Sequence, residues 1–264
     1  MSKYFTIIKT AWQRSMVYRF DIIAYRVGDL MEMLIIILMW SAIYNGNTKI
    51  GDYTLPEMLT YLIIGNLVAV LLRNFLYEVI SKDIKDGLLS AHLLKPIPYF
   101  RYIIIREIGR IAMVTMISGA TQLVVTIFFI DRIILNNDPV VISVIVLMVV
   151  LAFIIEMLVS YLTGLIAFWQ DEVNGLHYII LSLRKFFAGG YFPLSLLPAW
   201  FVTTSFLLPF AYSFFVPAQL YLGKLSIHAG LKGIAIELVW IVLLYLFIKI
   251  TWHFGIKKYE GVGI

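Results

Sequence analysis

Residues 81–100 read SKDIKDGLLSAHLLKPIPYF. They lie between two long apolar runs, about 58–80 and 103–130, and are too polar to cross a bilayer themselves. Ile84 and Leu88, then Leu89 and Leu93, repeat at helical i,i+4 spacing, while Lys82, Asp83, Lys85 and Asp86 crowd the first turns. Pro96 disfavours helix at Lys95, so the pattern predicts a short helix over 82–94. Such a helix, held between two membrane spans and flanked by basic residues, suits docking onto a cytosolic partner. From its residues alone it is equally an ordinary solvated loop helix.

The surrounding chain is 61% hydrophobic and only 14% charged over 264 residues, which makes it an integral membrane protein. Its apolar runs are long and continuous, so the spans are helices rather than barrel strands. The absence of cysteine excludes disulfides and thiolate metal sites, and His92, His177, His228 and His253 show no ligand spacing. Residues 1–20 carry Lys3, Lys9, Arg14 and Arg19 without a compact apolar core, so no cleavable signal peptide is expected there. Instead Phe5, Ile8, Trp12, Met16 and Phe20 fall on one face of a basic, interfacial amphipathic helix.

The first span covers about 22–44, with Arg26, Asp29 and Glu32 on one stripe of its first half. The second, 58–80, contains Arg73, which costs about 2.5–3.5 kcal/mol if unpaired at the bilayer centre. Glu32 and Arg73 lie at similar depth and are the candidate structural ion pair. Beyond Arg101, Arg106 and Arg110 the third span, 103–130, carries small residues Ser118, Gly119 and Ala120 that let helices approach closely. The fourth, 140–169, is long for one crossing and holds Glu156 near its middle. A lone intramembrane carboxylate is either functional or a protonated or paired structural group.

A short fifth segment, 176–190, carries Arg184 and Lys185 and ends at Gly189-Gly190. Residues 191–220 are apolar and aromatic yet broken by Pro193, Pro198, Pro209 and Pro217, which predicts re-entrant half-helices. The sixth span, 233–254, opens with Glu237. Arg184 and Lys185 either pair with Glu237 or line a path for an anionic or amphiphilic substrate. Residues 1–20 hold four Lys or Arg and residues 81–110 hold six, whereas the opposite loops hold Lys49, Arg132, Lys224 and Lys232. That asymmetry places both termini in the cytosol with six spans, and the basic charge needs no nucleic acid.

The Ile84-x-x-Gly87-Leu88-Leu89 pattern, followed by Leu93-Leu94-Lys95-Pro96, resembles the permease subunits of ABC-2-type transporters. Gly189-Gly190, the run PLSLLP at 193–198, Leu208-Pro209-Phe210 and the ending KKYEGVGI are similar to one branch of that family. Its chains are close to this one in length and were once grouped only as a domain of unknown function. The resemblance implies an all-α membrane protein of the ABC-2, type V exporter-like kind, formed by one permease domain. It has an N-terminal interfacial helix, six transmembrane helices, a cytosolic coupling helix over 82–94 and re-entrant helices between spans five and six.

It further implies that Ile84, Asp86, Gly87, Leu88, Leu89, Leu93 and Pro96 meet an ABC ATPase subunit. Glu156, Arg184, Lys185, Pro193 and Pro198 then stand as candidate pathway or gate residues. No Gly-x-x-x-x-Gly-Lys-Ser/Thr occurs, and no other catalytic motif, so ATP and magnesium would bind the partner. The implied assembly is a dimer with itself or a related permease, surrounded by membrane lipids in a cell (cytoplasmic) membrane. An ion- or proton-driven secondary transporter using Glu32, Glu156 and Glu237 is the alternative, although only one broken region is evident where paired ones are expected. A membrane-embedded lipid enzyme would need a surface cluster of His, Asp or Glu that the sequence lacks.

Overall fold

A computed structural model describes residues 3–17 and 19–259, and every named element among them is helical. The chain runs α1 (Lys3–Val17), α2 (Arg19–Ile43), α3 (Leu55–Leu72), α4 (Leu76–Lys85), α5 (Leu88–Leu93) and α6 (Tyr99–Phe128). It continues as α7 (Pro139–Leu165), α8 (Asn174–Phe187), α9 (Ala199–Leu207), α10 (Phe210–Ser213), α11 (Phe215–Tyr221) and α12 (Ile227–Lys258). Local chemistry sets several starts. Glu57 reaches back to accept the Thr54 N–H at 2.7 Å, with Pro56 in the first turn of α3. Asp138 accepts the Val140 N–H at 2.8 Å ahead of Pro139, and Ser226 accepts the Ala229 N–H at the head of α12.

Among the described residues, four helical segments are long and apolar enough to cross a membrane: Leu55–Lys85, Tyr99–Phe128, Pro139–Phe168 and Ile227–Lys258. The expected first and fifth spans, now α2 and α8, fall outside that set. Asp29 and Glu32 interrupt the apolar run of α2, and the 14 residues of α8 reach only about 21 Å along the axis. The last helix is longer than expected, 32 residues or about 48 Å, and so extends beyond a hydrocarbon core of about 30 Å.

The bundle is organised around α7, which lies along α12 and also touches α3, α4, α10 and α11. Tyr53, Tyr61, Met148, Phe214 and Phe215 form one core region. Ile80, Tyr99, Tyr161, Leu165 and Leu244 form another, on the α4 side. Small residues set the closest approaches. A methyl group on Gly164 of α7 would lie 2.7 Å from Ile80 Cβ and 3.1 Å from Tyr77 Cα, so α4 can rest this near only on glycine. On α6, a Cβ at Gly109 would lie 2.6 Å from the Ile8 carbonyl oxygen, where α1 crosses.

Several expected elements change form. On α1 the buried positions are Ala11 and Ser15, with Ile8 and Trp12 half-buried, because α1 packs on α6. Phe5, Met16 and Phe20 remain exposed, so the five apolar residues do not share one face. The side chain of Arg26 and the tail from Glu260 lie outside the described residues. The second span is not one helix: α3 stops at Leu72 and α4 restarts at Leu76. The helix expected over 82–94 is likewise two pieces, the end of α4 and then α5, divided by Gly87 in the left-handed conformation (φ +72°). Residues 191–220 fold into a 3-10 turn, Leu194–Leu196, followed by α9, α10 and most of α11.

Candidate functional site

A cavity of about 390 Å³ opens between α2, α3, α7 and α8. Its apolar wall includes Met33, Ile36, Leu62 and Phe214, and its polar wall includes Asn66, Asn74, Ser160 and Ser182. Five charged residues line it: Glu32, Arg73, Glu156, Arg184 and Lys185. They come from four parts of the chain, so the cavity gathers what the sequence presents as scattered outliers.

Their pairing differs from expectation. Arg73 Nη1 donates to Asp29 Oδ1 at 2.6 Å, while Glu32, one turn further along α2, accepts from Lys185. Arg184 donates to Glu156 of α7. The expected Glu32–Arg73 pair is therefore replaced, because α8 brings Lys185 to Glu32 and leaves Arg73 to Asp29. Pairing of Arg184 or Lys185 with Glu237 does not occur either. Glu237 is fully buried on α12, and one turn earlier on that helix Gly233 meets Met148 and Tyr212. Both Glu237 carboxyl oxygens lack a hydrogen-bond partner among the described residues. Pro193 and Pro198 do not line the cavity; they precede the 3-10 turn and α9 respectively.

Arg73 reaches the cavity because α3 ends at it, with extended backbone at φ −67° and ψ 124°. Breaking a helix at membrane depth frees backbone groups that must find partners. Asn74 Oδ1 accepts the Leu76 N–H at 3.3 Å, Ser160 Oγ accepts the Tyr77 N–H at 3.0 Å, and Glu107 Oε1 accepts the Phe75 N–H at 3.4 Å. Glu107 is itself buried and holds Arg110 one turn along α6. Glu107, Asn74 and Ser160 were not evident as site residues, and Asp29 stood out only as one of the charged stripe with Arg26 and Glu32, not as the partner of Arg73. The i,i+3 spacing of Glu107 and Arg110 is a further signal the sequence holds.

At the far end of α4, Asp86 and Gly87 turn the chain into α5. Of the expected docking residues, Ile84 and Leu89 are buried and anchor the turn to the core. Asp86, Leu88, Leu93 and Pro96 face outward, and Leu94 is 88% exposed. Tyr259, at the end of α12, holds α5 through its hydroxyl, which accepts the Ser90 N–H at 3.2 Å and lies 3.0 Å from Ser90 Oγ. Lys95 Nζ lies 3.0 Å from His92 Nδ1, so Nδ1 is the acceptor and Nε2 carries the proton, 3.8 Å from Asp83. Burial lowers the His92 pKa below its ordinary value; Asp83 opposes this, and Lys95 and Arg106 add to it.

A helical bundle with a charged cavity between its helices, and an exposed hairpin joined to that cavity by one short helix, is an arrangement suited to membrane transport. The chain belongs to the family described as ABC-2 family transporter protein, whose model matches residues 30–263. It is an ABC-2-type permease. Searches of curated proteins and of solved structures gave no significant match.

Proposed function

We propose that this chain is the membrane-spanning permease subunit of an ATP-driven exporter. It forms the substrate path as a dimer, bound to a separate ABC ATPase that holds the ATP and magnesium. In this reading α2 and α8 complete six crossings, and both termini lie on the cytosolic side of the cell membrane. One observation carries the proposal. The ten residues of α4 connect the exposed hairpin at Gly87 to the helix break at Arg73, and Arg73 lines the cavity.

A rigid α4, held against α7 at Gly164 and Ser160, turns a push on Leu88 and Leu93 into a displacement of Arg73 and its ion pair. ATP-driven closure of the partner thereby reaches the cavity without nucleotide chemistry in this chain. The proton-driven alternative has less support, since Glu32 and Glu156 are engaged by Lys185 and Arg184 and its third carboxylate, Glu237, does not line the cavity.

Purification in mild detergent with native partners tests the proposal. A Walker-motif ATPase should co-purify and be lost from Leu88→Asp/Leu93→Asp protein that remains monodisperse. Transport by this chain alone in reconstituted vesicles refutes the proposal.

A further inference from the structure

Each cation at the cavity is matched by a carboxylate on another helix. Arg184 of α8 holds Glu156 of α7, Lys185 of α8 holds Glu32 of α2, and Arg73 holds Asp29 of α2. The pairs are graded in depth. Glu156 and Arg184 are 3% and 20% exposed in their side chains, whereas Glu32 and Lys185 are 43% and 34% exposed and form the mouth. This arrangement discriminates by charge. An entering anion takes Arg184 or Lys185 only by leaving Glu156 or Glu32 without a partner, and an entering cation strands the base in the same way. A ligand carrying both charges can exchange with a whole pair, its anion to the base and its cation to the carboxylate.

The other walls add two requirements. Tyr191 lies under the Lys185 ammonium, with Nζ 5.1 Å from the ring centroid, so the mouth already holds a cation against an aromatic face. Met33, Leu62 and Phe214 form an apolar wall in the same cavity. A volume of about 390 Å³ holds a small headgroup and the start of an attached chain.

We propose that the cavity binds amphiphiles with zwitterionic headgroups, such as a phosphate and a quaternary ammonium on one chain, in preference to singly charged ones. The inference rests on the cavity being the substrate path proposed above, but its test reads binding alone.

The full chain, in non-ionic maltoside micelles without ATPase or nucleotide, is incubated with hexadecylphosphocholine, hexadecyl phosphate or hexadecyltrimethylammonium. Retained ligand is measured by native mass spectrometry against empty micelles. The phosphocholine should bind at least about tenfold tighter than either analogue, and glycerophosphocholine, which lacks the tail, should bind weakly. In Glu156→Gln protein, with Arg184 unmatched, the preference should move to hexadecyl phosphate. In Arg184→Gln protein it should move to hexadecyltrimethylammonium.

If either variant does not fold, Glu32→Gln and Lys185→Gln make the same two tests at the mouth. Equal binding of the three probes, a native preference for a singly charged one, tight binding of the tail-less compound, or a ranking unmoved by the variants overturns the inference. If an ATPase co-purifies in that case, the permease proposal still stands. The reverse result, zwitterion selectivity with no ATPase partner, sinks the permease proposal and not the site.

Discussion

Glu156 is 2% exposed and owes its tolerance at membrane depth to Arg184. Removing one partner leaves the other charge buried, which costs about 3–5 kcal/mol in comparable pairs. Glu156→Ala should therefore lower thermal stability in detergent sharply, and Glu156→Ala/Arg184→Ala should cost less than the sum of the single changes. His92 makes a different prediction. Its folded pKa lies below the ordinary value of about 6.5, so the unfolded imidazole takes up a proton that the folded one resists. Stability of the hairpin is fully present above that pH and falls as the pH drops through the folded pKa. Protection of the α5 amides, taken relative to the intrinsic exchange rate at each pH, should fall as the pH drops below about 6.5, and His92→Gln should remove that dependence. The charged residues of the cavity stood out in the sequence because intramembrane charge is costly. Which of them pair did not, since pairing depends on how α2, α7 and α8 are rotated about their axes, which spacing along one chain does not fix.

The helix break at residues 73–75 shows the same limit for elements. The sequence LLRNFLY contains neither proline nor glycine, and the break depends on distant acceptors, Ser160 and Glu107. Ser160→Ala removes the hydroxyl that accepts the Tyr77 N–H at 3.0 Å and should cost about 1–3 kcal/mol, read as a fall in melting temperature. Gly164→Ala should separate α4 from α7 at a cost of about 1–3 kcal/mol, because the added methyl meets Ile80 Cβ and the Tyr77 backbone. Both changes should also reduce any ATP dependence of transport, since both touch the seat of α4. By contrast, the starts of α3 and α7 are written locally, because Pro56, Glu57, Asp138 and Pro139 act within a few residues of themselves, although hydropathy alone began those spans at 58 and 140. Gly87 was visible too, though its role as a divider between two helices required the backbone angle.

At the scale of the molecule, composition alone identified a helical membrane protein, and the short motifs around Gly87 pointed to its family. What composition could not supply is the cavity, which exists only where α2, α3, α7 and α8 converge, or the connection from that cavity through α4 to the surface. In the proposed permease this connection moves the cavity when a partner binds ATP. The chain has no cysteine, so a single Ala69→Cys change places one reporter thiol in the cavity wall. Its rate of reaction with a membrane-impermeant maleimide is measured in vesicles holding the permease and its ATPase. The rate should change by about tenfold or more when a non-hydrolysable ATP analogue is added, and that change should vanish in Leu88→Asp/Leu93→Asp protein. An equal rate with and without nucleotide, in a complex that still hydrolyses ATP, would rule out this coupling.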